Sequence, residues 1–317
     1  SLRGSFLVSS FKVSVVIPNY NRKDSLVQAI RSALEQTYKP CEVIVVDDGS
    51  DFDISAYLRH AFEKEYDEGL LKVTVNNENC GAAKSRNIGV DKSSGEYTAF
   101  LDSDDYWAQA KLAKQIGKFK ANPDLDLVYC DQFLVVDGVV KDSNKKMVNS
   151  DLLEELVNHW TAPNTSTLMY KKESFKKLSG FDESLKSCQD HDLWFRVAIR
   201  DFGVDYVDEP LSFFELSSSD RISHNAKDRM NGVYKFLENC KKYVPESKYQ
   251  NFRSQYICTT SLPILIKAVK DKKVAMVLIV YIKYLVFNNF FYKKIFNVLG
   301  GLVTKLSKNS TNSNNAE

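Results

Sequence analysis

The sequence predicts an α/β fold built on a mostly parallel, Rossmann-like sheet with helices on both faces. In the amino-terminal half, four runs of apolar, β-branched or aromatic residues alternate with segments whose apolar residues recur at helical spacing. The strand-like runs are apolar throughout, which is typical of strands buried on both faces. Strands that alternate with helices favour parallel pairing, because each crossover helix returns the chain to the same end of the sheet.

The elements follow in chain order. The first predicted strand covers 12–17 and is stopped by Pro18, and Asp24 caps the helix after it. In the second half the pattern changes to a hairpin over 125–140 that turns at Asp137 and Gly138. The other predicted elements are strands at 42–46, 70–75, 97–101, 166–170, 204–207 and 211–216, and helices at 53–66, 81–91, 151–159, 171–178 and 189–200.

Two of the four amino-terminal strands end in aspartates. Because parallel strands end at the same edge of a sheet, both acidic groups are predicted at the edge where open α/β sheets bind ligands. Asp102 and Asp104 flank a single residue, a spacing that lets two carboxylates share a divalent cation. Hard oxygen ligands favour magnesium, manganese or calcium over zinc. A solvated acidic turn is the alternative.

Composition limits the function classes. The 317 residues are 44% hydrophobic and 26% charged, as in ordinary globular proteins, with room for one large domain and an appendage. The net charge of +2 hides an asymmetry: residues 227–308 carry 16 basic and 4 acidic residues, and residues 1–226 carry 27 and 36. The acidic amino-terminal part argues against nucleic acid as a partner. Six scattered cysteines without a Cys-x-x-Cys pair predict reduced thiols and a cytoplasmic protein.

The predicted organisation has four parts. Residues 1–10 form a flexible start that includes a cloning remnant, 11–226 the α/β domain, 227–308 a basic helical region and 309–317 a disordered tail. Within the basic region, an apolar run of about 14 residues falls short of the roughly 20 that cross a bilayer. Aromatic residues mixed with lysines suit a helix lying at the inner face of the plasma membrane. A helical hairpin packed on itself or on a partner chain is the alternative.

Seven short motifs, taken together and in this order, resemble the family 2 glycosyltransferases with the GT-A fold. The resemblance covers about residues 12–225. It implies a nucleotide-sugar donor, most often a UDP-sugar, a divalent metal (Mn²⁺ or Mg²⁺) and a single displacement that inverts the anomeric carbon. The motifs are Val16-Ile17-Pro18-Asn19-Tyr20-Asn21, Val46-Asp47-Asp48-Gly49-Ser50, Asn79-Cys80-Gly81, Ser85-Arg86-Asn87, Asp102-Ser103-Asp104-Asp105, Gly180-Phe181-Asp182 and Gln189-Asp190-His191-Asp192-Leu193-Trp194.

The resemblance assigns the acidic cluster to the metal. Asp104 binds the metal directly, and Asp102 contacts the ribose or the metal shell. Asp105 either helps through a water, or simply orients the loop, or caps a helix that begins near Ala108. A departure from the family pattern concerns His224, since many relatives carry an Arg-x-His after the last strand. His224 is a candidate for the metal or phosphate, or simply a solvated loop histidine.

Nucleoside recognition falls, by the same resemblance, to residues at the ends of the first strands. Asp48 accepts from the base ring, Tyr20 lies beside it in the motif that holds Pro18, and Arg86 reaches the base or the diphosphate. The alternatives are an Asx turn of Asp47 or Asp48 with Gly49, and a surface ion pair for Arg86.

The resemblance makes Asp190 the catalytic base, because an acceptor hydroxyl needs a positioned carboxylate to take its proton. Gln189 replaces the usual glutamate of the family, and the loss of a like charge leaves Asp190 easier to ionise. Asp192 is the rival base, although two residues along a helix it points elsewhere. Trp194 either stacks on a sugar or belongs to the core.

The sequence therefore predicts a bacterial-type enzyme that adds one sugar to a glycan, on a lipid-linked acceptor. Two other classes stay open. One is a non-catalytic nucleotide-sugar-binding protein that assembles a membrane complex. The other is a nucleotidyltransferase, although the loop after the first strand lacks the glycines that such enzymes use to bind phosphate.

Overall fold

A computed structural model describes residues 11–143, 152–158, 162–216 and 226–270. The chain divides into two compact units. The first takes in Ser1–Leu153 and Thr161–Phe236, and the second takes in Glu154–Trp160 and Leu237–Glu317. Only the described residues of each unit are discussed below.

Most of the described strands overlap those predicted from the apolar runs, but the strand Tyr106–Trp107 was not predicted, and the strand predicted at 166–170 is a 3₁₀ turn followed by the short strand Met169–Lys171. The described strands are β1 Val13–Asn19, β2 Glu42–Asp47, β3 Leu71–Val75, β4 Tyr97–Phe100, β5 Tyr106–Trp107, β6 Leu127–Val136, β7 Val139–Ser143, β8 Met169–Lys171 and β9 Val204–Glu215. The helices are α1 Asp24–Leu34, α2 Ile54–Ala61, α3 Glu63–Asp67, α4 Ala82–Lys92, α5 Lys111–Ala121, α6 Leu152–Asn158, α7 Lys172–Lys177, α8 Gln189–Ile199, α9 Ala226–Cys240 and α10 Glu246–Lys270, with a 3₁₀ turn at Thr165–Thr167.

All nine described strands join one sheet in the order β3-β2-β1-β4-β8-β6-β9-β5, with β7 added to β6. The first four strands of the chain pair in parallel, as the alternation of strands and helices predicts. Beyond β4 the sheet is mixed, because β8 runs antiparallel to both β4 and β6, whereas β6 and β9 are parallel. The predicted α/β, Rossmann-like class is confirmed.

Four boundaries differ from the prediction. Pro18 does not stop β1, because β4 pairs with β1 only as far as Val16, and beyond that point no second neighbour needs the missing N–H. The helix at 53–66 is divided by Phe62, whose buried ring joins the core. The strands at 204–207 and 211–216 are one strand, β9, with an irregular register opposite Asp131. Asp24 begins α1 rather than capping it.

The core of the first unit lies around β1, β2 and β4, whose residues are buried along their whole length. α1 covers the sheet with Leu26, Ala29, Ile30 and Ala33, all fully buried at helical spacing. Burial of one such leucine or isoleucine contributes about 1.5–3 kcal/mol. β1, β2 and β4 are therefore held in a packed core, and the residues that follow their carboxyl ends start from fixed positions.

In the second unit, α10 buries Tyr249, Phe252 and Tyr256 along one face. Among the described helices, none combines the length and the apolar character needed to span a bilayer. The apolar run at 274–287, the helices expected beyond 270, the tail at 309–317 and the start at 1–10 lie outside the described residues.

Candidate active site

Asp48 lies just beyond β2 and organises the loop before α4. Its Oδ1 accepts from the side-chain amide of Asn76 at 2.9 Å and from the backbone N–H of Cys80 at 3.0 Å, and its Oδ2 accepts from the N–H of Gly81 at 2.8 Å. The Cys80 thiol is 3.0 Å from Oδ1. Burial raises the pKa of Asp48, but these donors outweigh it and hold the pKa below its ordinary value. The carboxylate is therefore anionic and rigidly held.

The sequence left open which of Asp47 and Asp48 makes a turn with Gly49. The turn belongs to Asp47, whose Oδ2 accepts from the Ser50 N–H at 2.9 Å. Tyr20, just past the end of β1, is 45% exposed, so its ring is available at this edge of the sheet. Pro18 is buried inside β1 opposite Val46.

The acidic cluster after β4 is compact. One oxygen from each of Asp102, Asp104 and Asp105 lies within 4.8 Å of the others. Ser166 ties the cluster together, since its Oγ donates to Asp105 Oδ2 at 2.6 Å and accepts from the Asp102 N–H at 3.0 Å. Asp105 does not cap a helix, because α5 begins only at Lys111. Of the roles left open for it, orienting the loop is the one its contacts support.

Two arginines contact this cluster. Arg22 Nη2 is 3.1 Å from Asp104 Oδ2, and its Nη1 donates to Ser103 Oγ at 3.1 Å. Arg86 Nη2 donates to Asp102 Oδ1 at 2.6 Å. The three carboxylates offer hard oxygen ligands, which fit magnesium or manganese. The two arginines partly offset the negative charge of the cluster.

Arg86 is 6% exposed, which excludes the alternative of a surface ion pair. Its second terminal nitrogen, Nη1, donates to Gln189 Oε1 at 3.1 Å. The guanidinium carbon lies 5.2 Å from the centre of the Phe181 ring. One side chain thus joins the acidic cluster after β4 to the first residue of α8.

The next residue, Asn87, explains why Arg86 is so placed. Its side-chain amide pairs with the backbone of Phe181, accepting from the N–H at 2.9 Å and donating to the carbonyl at 3.0 Å. Gly180 adopts φ +66°, and a Cβ there would come within 2.5 Å of Asn87 Oδ1. Asn87 and the Gly180-Phe181-Asp182 motif, to which the resemblance gave no individual role, therefore join α4 to the loop before α8.

α8 begins at Gln189, and Asp190, the base that the sequence predicts, is its second residue. Cys188, which precedes the helix, is left-handed at φ +63°. Gln189 is buried, and its amide donates to the Leu185 carbonyl at 2.7 Å. Asp190 is half-buried.

Charge around Asp190 favours its carboxylate form. Burial raises the pKa of this group, but the charges of His191 and Arg229, a bond from the His191 N–H and the charge of Arg86 together hold the pKa below its ordinary value. Asp192 lies apart from this environment, because it is buried and its Oδ2 accepts from Arg196 Nε at 2.8 Å.

Two candidates remain, Trp194 and His224, and the structure describes only the first. Trp194 is 1% exposed and packs edge-on against Tyr129 at 5.4 Å, so it belongs to the core. His224 lies outside the described residues. Sequence reasoning missed Arg22, Ser166 and Arg229. Only Arg22 carries a local signal, as a basic residue directly after the first strand motif.

An α/β sheet with a carboxylate cluster at one strand end, joined through Arg86 to Gln189, the residue before a separate ionised aspartate, fits a protein that binds a nucleotide and transfers a group. The model of glycosyl transferase family 2 matches residues 14–179, more than half of the chain, and the chain belongs to this family.

The chain is also similar in sequence to individual curated proteins. Over 210 residues the chain is 29% identical to the amylovoran biosynthesis glycosyltransferase AmsB of Erwinia amylovora, covering 64% of this chain and 69% of that protein. Over 129 residues it is 35% identical to the Escherichia coli UDP-Glc:alpha-D-GlcNAc-diphosphoundecaprenol beta-1,3-glucosyltransferase WfaP, covering 40% and 49%. The chain spans between 26% and 82% of the lengths of the first curated relatives it matches.

Solved structures agree on the fold. Staphylococcus aureus TarS 1-349, in complex with UDP-GlcNAc, matches with a TM-score of 0.52 at 18% identity, covering 87% of this chain and 92% of that one. The mannosyltransferase PcManGT of Pyrobaculum calidifontis, in complex with GDP-Man and Mn²⁺, matches with a TM-score of 0.59 at 16% identity, covering 86% and 80%. Both support the GT-A architecture.

Proposed function

We propose that this protein is a metal-dependent, inverting glycosyltransferase that moves a sugar from a nucleotide-sugar, a UDP-sugar, to an acceptor hydroxyl. The observation that carries the proposal is the bridge formed by Arg86, which donates to Asp102 at 2.6 Å and to Gln189 at 3.1 Å. That bridge holds the donor end of the site and the start of α8 in one rigid arrangement. A single displacement needs two acidic positions, one at the leaving group and one across the sugar.

At the donor end, Asp48 receives the base ring beside Tyr20, and Asp102 receives the ribose. Asp48 suits the part because its carboxylate is anionic and held by four donors. Arg86 is buried against Asp102, and its fork geometry matches oxygen atoms on two sides. If Asp48 contacts the base, its replacement should weaken nucleotide binding. If Asp48 serves only to shape the loop, nucleotide affinity should not depend on this contact.

For the metal, Asp104 is the residue that would hold Mn²⁺ or Mg²⁺ directly, with Asp102 at the ribose or the metal shell and Asp105 orienting the loop. A bound divalent cation would supply positive charge to the diphosphate as it departs. The contact of Arg22 with Asp104 places a second cation at the same carboxylate, so metal and guanidinium compete for it. His224 is a further candidate ligand.

At the acceptor end, Asp190 takes the proton of the attacking hydroxyl. Its low pKa keeps it ionised at neutral pH, and so ready to accept a proton. Asp192 is poorly suited, because a base must be free to reach the substrate and Asp192 is buried in an ion pair with Arg196. Since the acceptor hydroxyl oxygen itself attacks the anomeric carbon as Asp190 takes its proton, and the bond to the nucleoside diphosphate breaks on the opposite side, the anomeric configuration inverts.

For the acceptor, we propose a lipid-linked surface glycan, in a cytoplasmic protein that contacts the inner face of the plasma membrane through the basic region 227–308. The relative WfaP, whose acceptor is named as a diphosphoundecaprenol-linked sugar, supports this choice. So does the balance of 16 basic and 4 acidic residues in that region.

The test begins with calorimetry of UDP-sugars and GDP-sugars, with and without Mn²⁺. UDP release with water as acceptor is then measured for the best donor. Asp104→Asn is expected to remove the metal-dependent part of the affinity. Asp190→Asn is expected to bind the donor as the native protein does, and to lose turnover by about a hundredfold or more.

Asp192→Asn is the matched control, two residues along the same helix. Near-native turnover of Asp190→Asn with an inactive, folded Asp192→Asn would move the base to Asp192. Equal donor affinity with and without metal would refute the metal assignment. Donor binding without any turnover in the native protein would favour a non-catalytic binding protein.

A further inference from the structure

α9 lies beyond residues 14–179, which match the family model, and the sequence assigned it to the basic region after residue 226. The structure groups its residues up to Phe236 with the first unit instead. α9 buries Met230, Val233 and Phe236 at helical spacing, as a helix does when one face is packed on its own domain. One residue of that face, Phe236, packs against α8.

Three residues lie on one face of α9, and two of them, Gly232 and Phe236, approach the segment that carries the base. Arg229, Gly232 and Phe236 are three and four residues apart, which aligns them along the helix. The Phe236 ring is edge-on to His191 at 6.3 Å and to Phe195 at 5.8 Å.

At Gly232, α9 closely approaches the backbone of Ser187. A Cβ built at this position would lie 2.5 Å from the Ser187 carbonyl oxygen and 2.9 Å from its carbonyl carbon. Both atoms belong to the backbone, so no rotamer change relieves the overlap. Ser187 precedes the left-handed Cys188, and Asp190 follows in the first turn of α8. The absence of a side chain at Gly232 therefore allows the Ser187 backbone, just before α8, to lie this close to α9.

We infer that α9 completes the active site, and that Gly232 and Arg229 are positioning residues for Asp190. Gly232 sets the place of the helix start, and Arg229 supplies a cation near the carboxylate. The inference rests on the proposed function in taking Asp190 as the base. It adds to that function a second, sequence-distant element on which the base depends.

Electrostatics agree with the geometry. The charged groups that act on Asp190 are His191 on its own helix, Arg229 on α9 and Arg86 on α4. All three favour the carboxylate over the neutral acid. Since Arg86 also serves Asp102, Arg229 is the cation from another element whose role at this aspartate is separable from the donor site.

Gly232→Ala tests the steric part. Real Cβ atoms essentially never approach another atom within 3.0 Å, so α9 or the Ser187 loop must move by roughly half an ångström. We expect turnover, measured as UDP release, to fall about tenfold or more, because small misplacements of reacting groups are costly. Donor affinity, measured by calorimetry with UDP and Mn²⁺, is expected to stay within about twofold, since Asp48 and Asp102 lie on other elements.

Gly117→Ala is the matched control, because Gly117 is also inside a helix and a Cβ there meets nothing within 4 Å. It should leave turnover and UDP affinity unchanged. Hydrogen exchange supplies a readout independent of activity. Gly232→Ala should speed exchange at 185–192 and leave 97–105 unchanged. Equal exchange and equal turnover in both variants would overturn the steric part.

Arg229→Gln and Arg229→Lys test the charge. Removal of the cation raises the pKa of Asp190, so the acidic limb of the kcat profile should move to higher pH in Arg229→Gln and return toward native in Arg229→Lys. An unmoved limb in Arg229→Gln would overturn the electrostatic part. If no donor gives turnover in the native protein, the proposed function fails, and the exchange measurement still decides whether α9 holds the start of α8.

Discussion

Arg86 offers the sharpest quantitative test, because one buried side chain joins two distant parts of the site. Arg86→Met keeps the length and removes the donors. Gln189 is 7% exposed, and the substitution leaves its Oε1 without the Arg86 donor, at a cost of about 1–3 kcal/mol. It also leaves Asp102 without its guanidinium. Breaking a buried pair costs about 3–5 kcal/mol, and the Asp102 side chain is 28% exposed, so the lower end applies.

One contribution opposes this loss. Arg86 Nε is buried without a hydrogen-bond partner, so its removal returns part of a desolvation cost. We therefore expect a net loss on the order of 4 kcal/mol in the free energy of unfolding. At about 2–4 °C per kcal/mol for a unit of this size, the midpoint should fall by roughly 8–16 °C.

A double-mutant cycle isolates the bridge. Gln189→Met removes the acceptor, so in combination with Arg86→Met no Gln189 oxygen is left buried without its donor, and the pair should couple by about 1–2 kcal/mol. Arg86 with Gln115→Met is the control cycle, since Gln115 is a buried helical glutamine that bonds Lys111. That pair should be additive within about 0.5 kcal/mol. Urea unfolding at constant slope gives the free energies. Additivity of Arg86→Met with Gln189→Met would refute the bridge.

Three further outcomes are expected. Asp192→Asn should lower stability by a few kcal/mol, because Arg196 loses a buried partner, while the acidic limb of the kcat profile keeps its position; calorimetry and the pH profile check this. Glu42 is buried and pairs with the exposed Lys72, and although burial raises its pKa, bonds from Lys72 and two serines lower the pKa from 4.5 to about 2. Its contribution, roughly 3 kcal/mol, should be present above pH 4.5 and be lost as the pH falls toward 2, and Glu42→Gln should flatten that part of the pH–stability curve. The full chain should sediment with anionic vesicles and not with zwitterionic ones, and release in high salt, as the 16 basic residues of 227–308 require; salt-independent or absent binding would contradict the membrane surface.

Local sequence determined the sheet and the edge that carries the site. β1, β2 and β4 were predicted to within two residues, because continuous apolar runs are a local signal of strands buried on both faces. The pairing of β1 with β2 and β4 in parallel then brings Asp48 and Asp102 to one edge without further information.

Local sequence was less informative where the fold turns mixed. The strand predicted at 166–170 is a 3₁₀ turn followed by the short strand β8, and Ser166 lies in that turn, where its hydroxyl reaches Asp105 across 61 residues of chain. Nothing in the local pattern distinguishes that serine from an ordinary strand residue. Its role follows from the antiparallel insertion of β8 beside β4.

By itself, the sequence determined the α/β class, the two acidic groups and the order of the motifs, because strand burial and parallel connection depend on patterns within a few dozen residues. Only the tertiary structure decided which cations serve which aspartates. Arg86 meets Gln189 across 103 residues, and Arg229 acts on Asp190 from a helix that composition alone assigned to another region. Such pairings depend on how packed elements meet, since charges far apart in the chain become neighbours only after the core between them has closed.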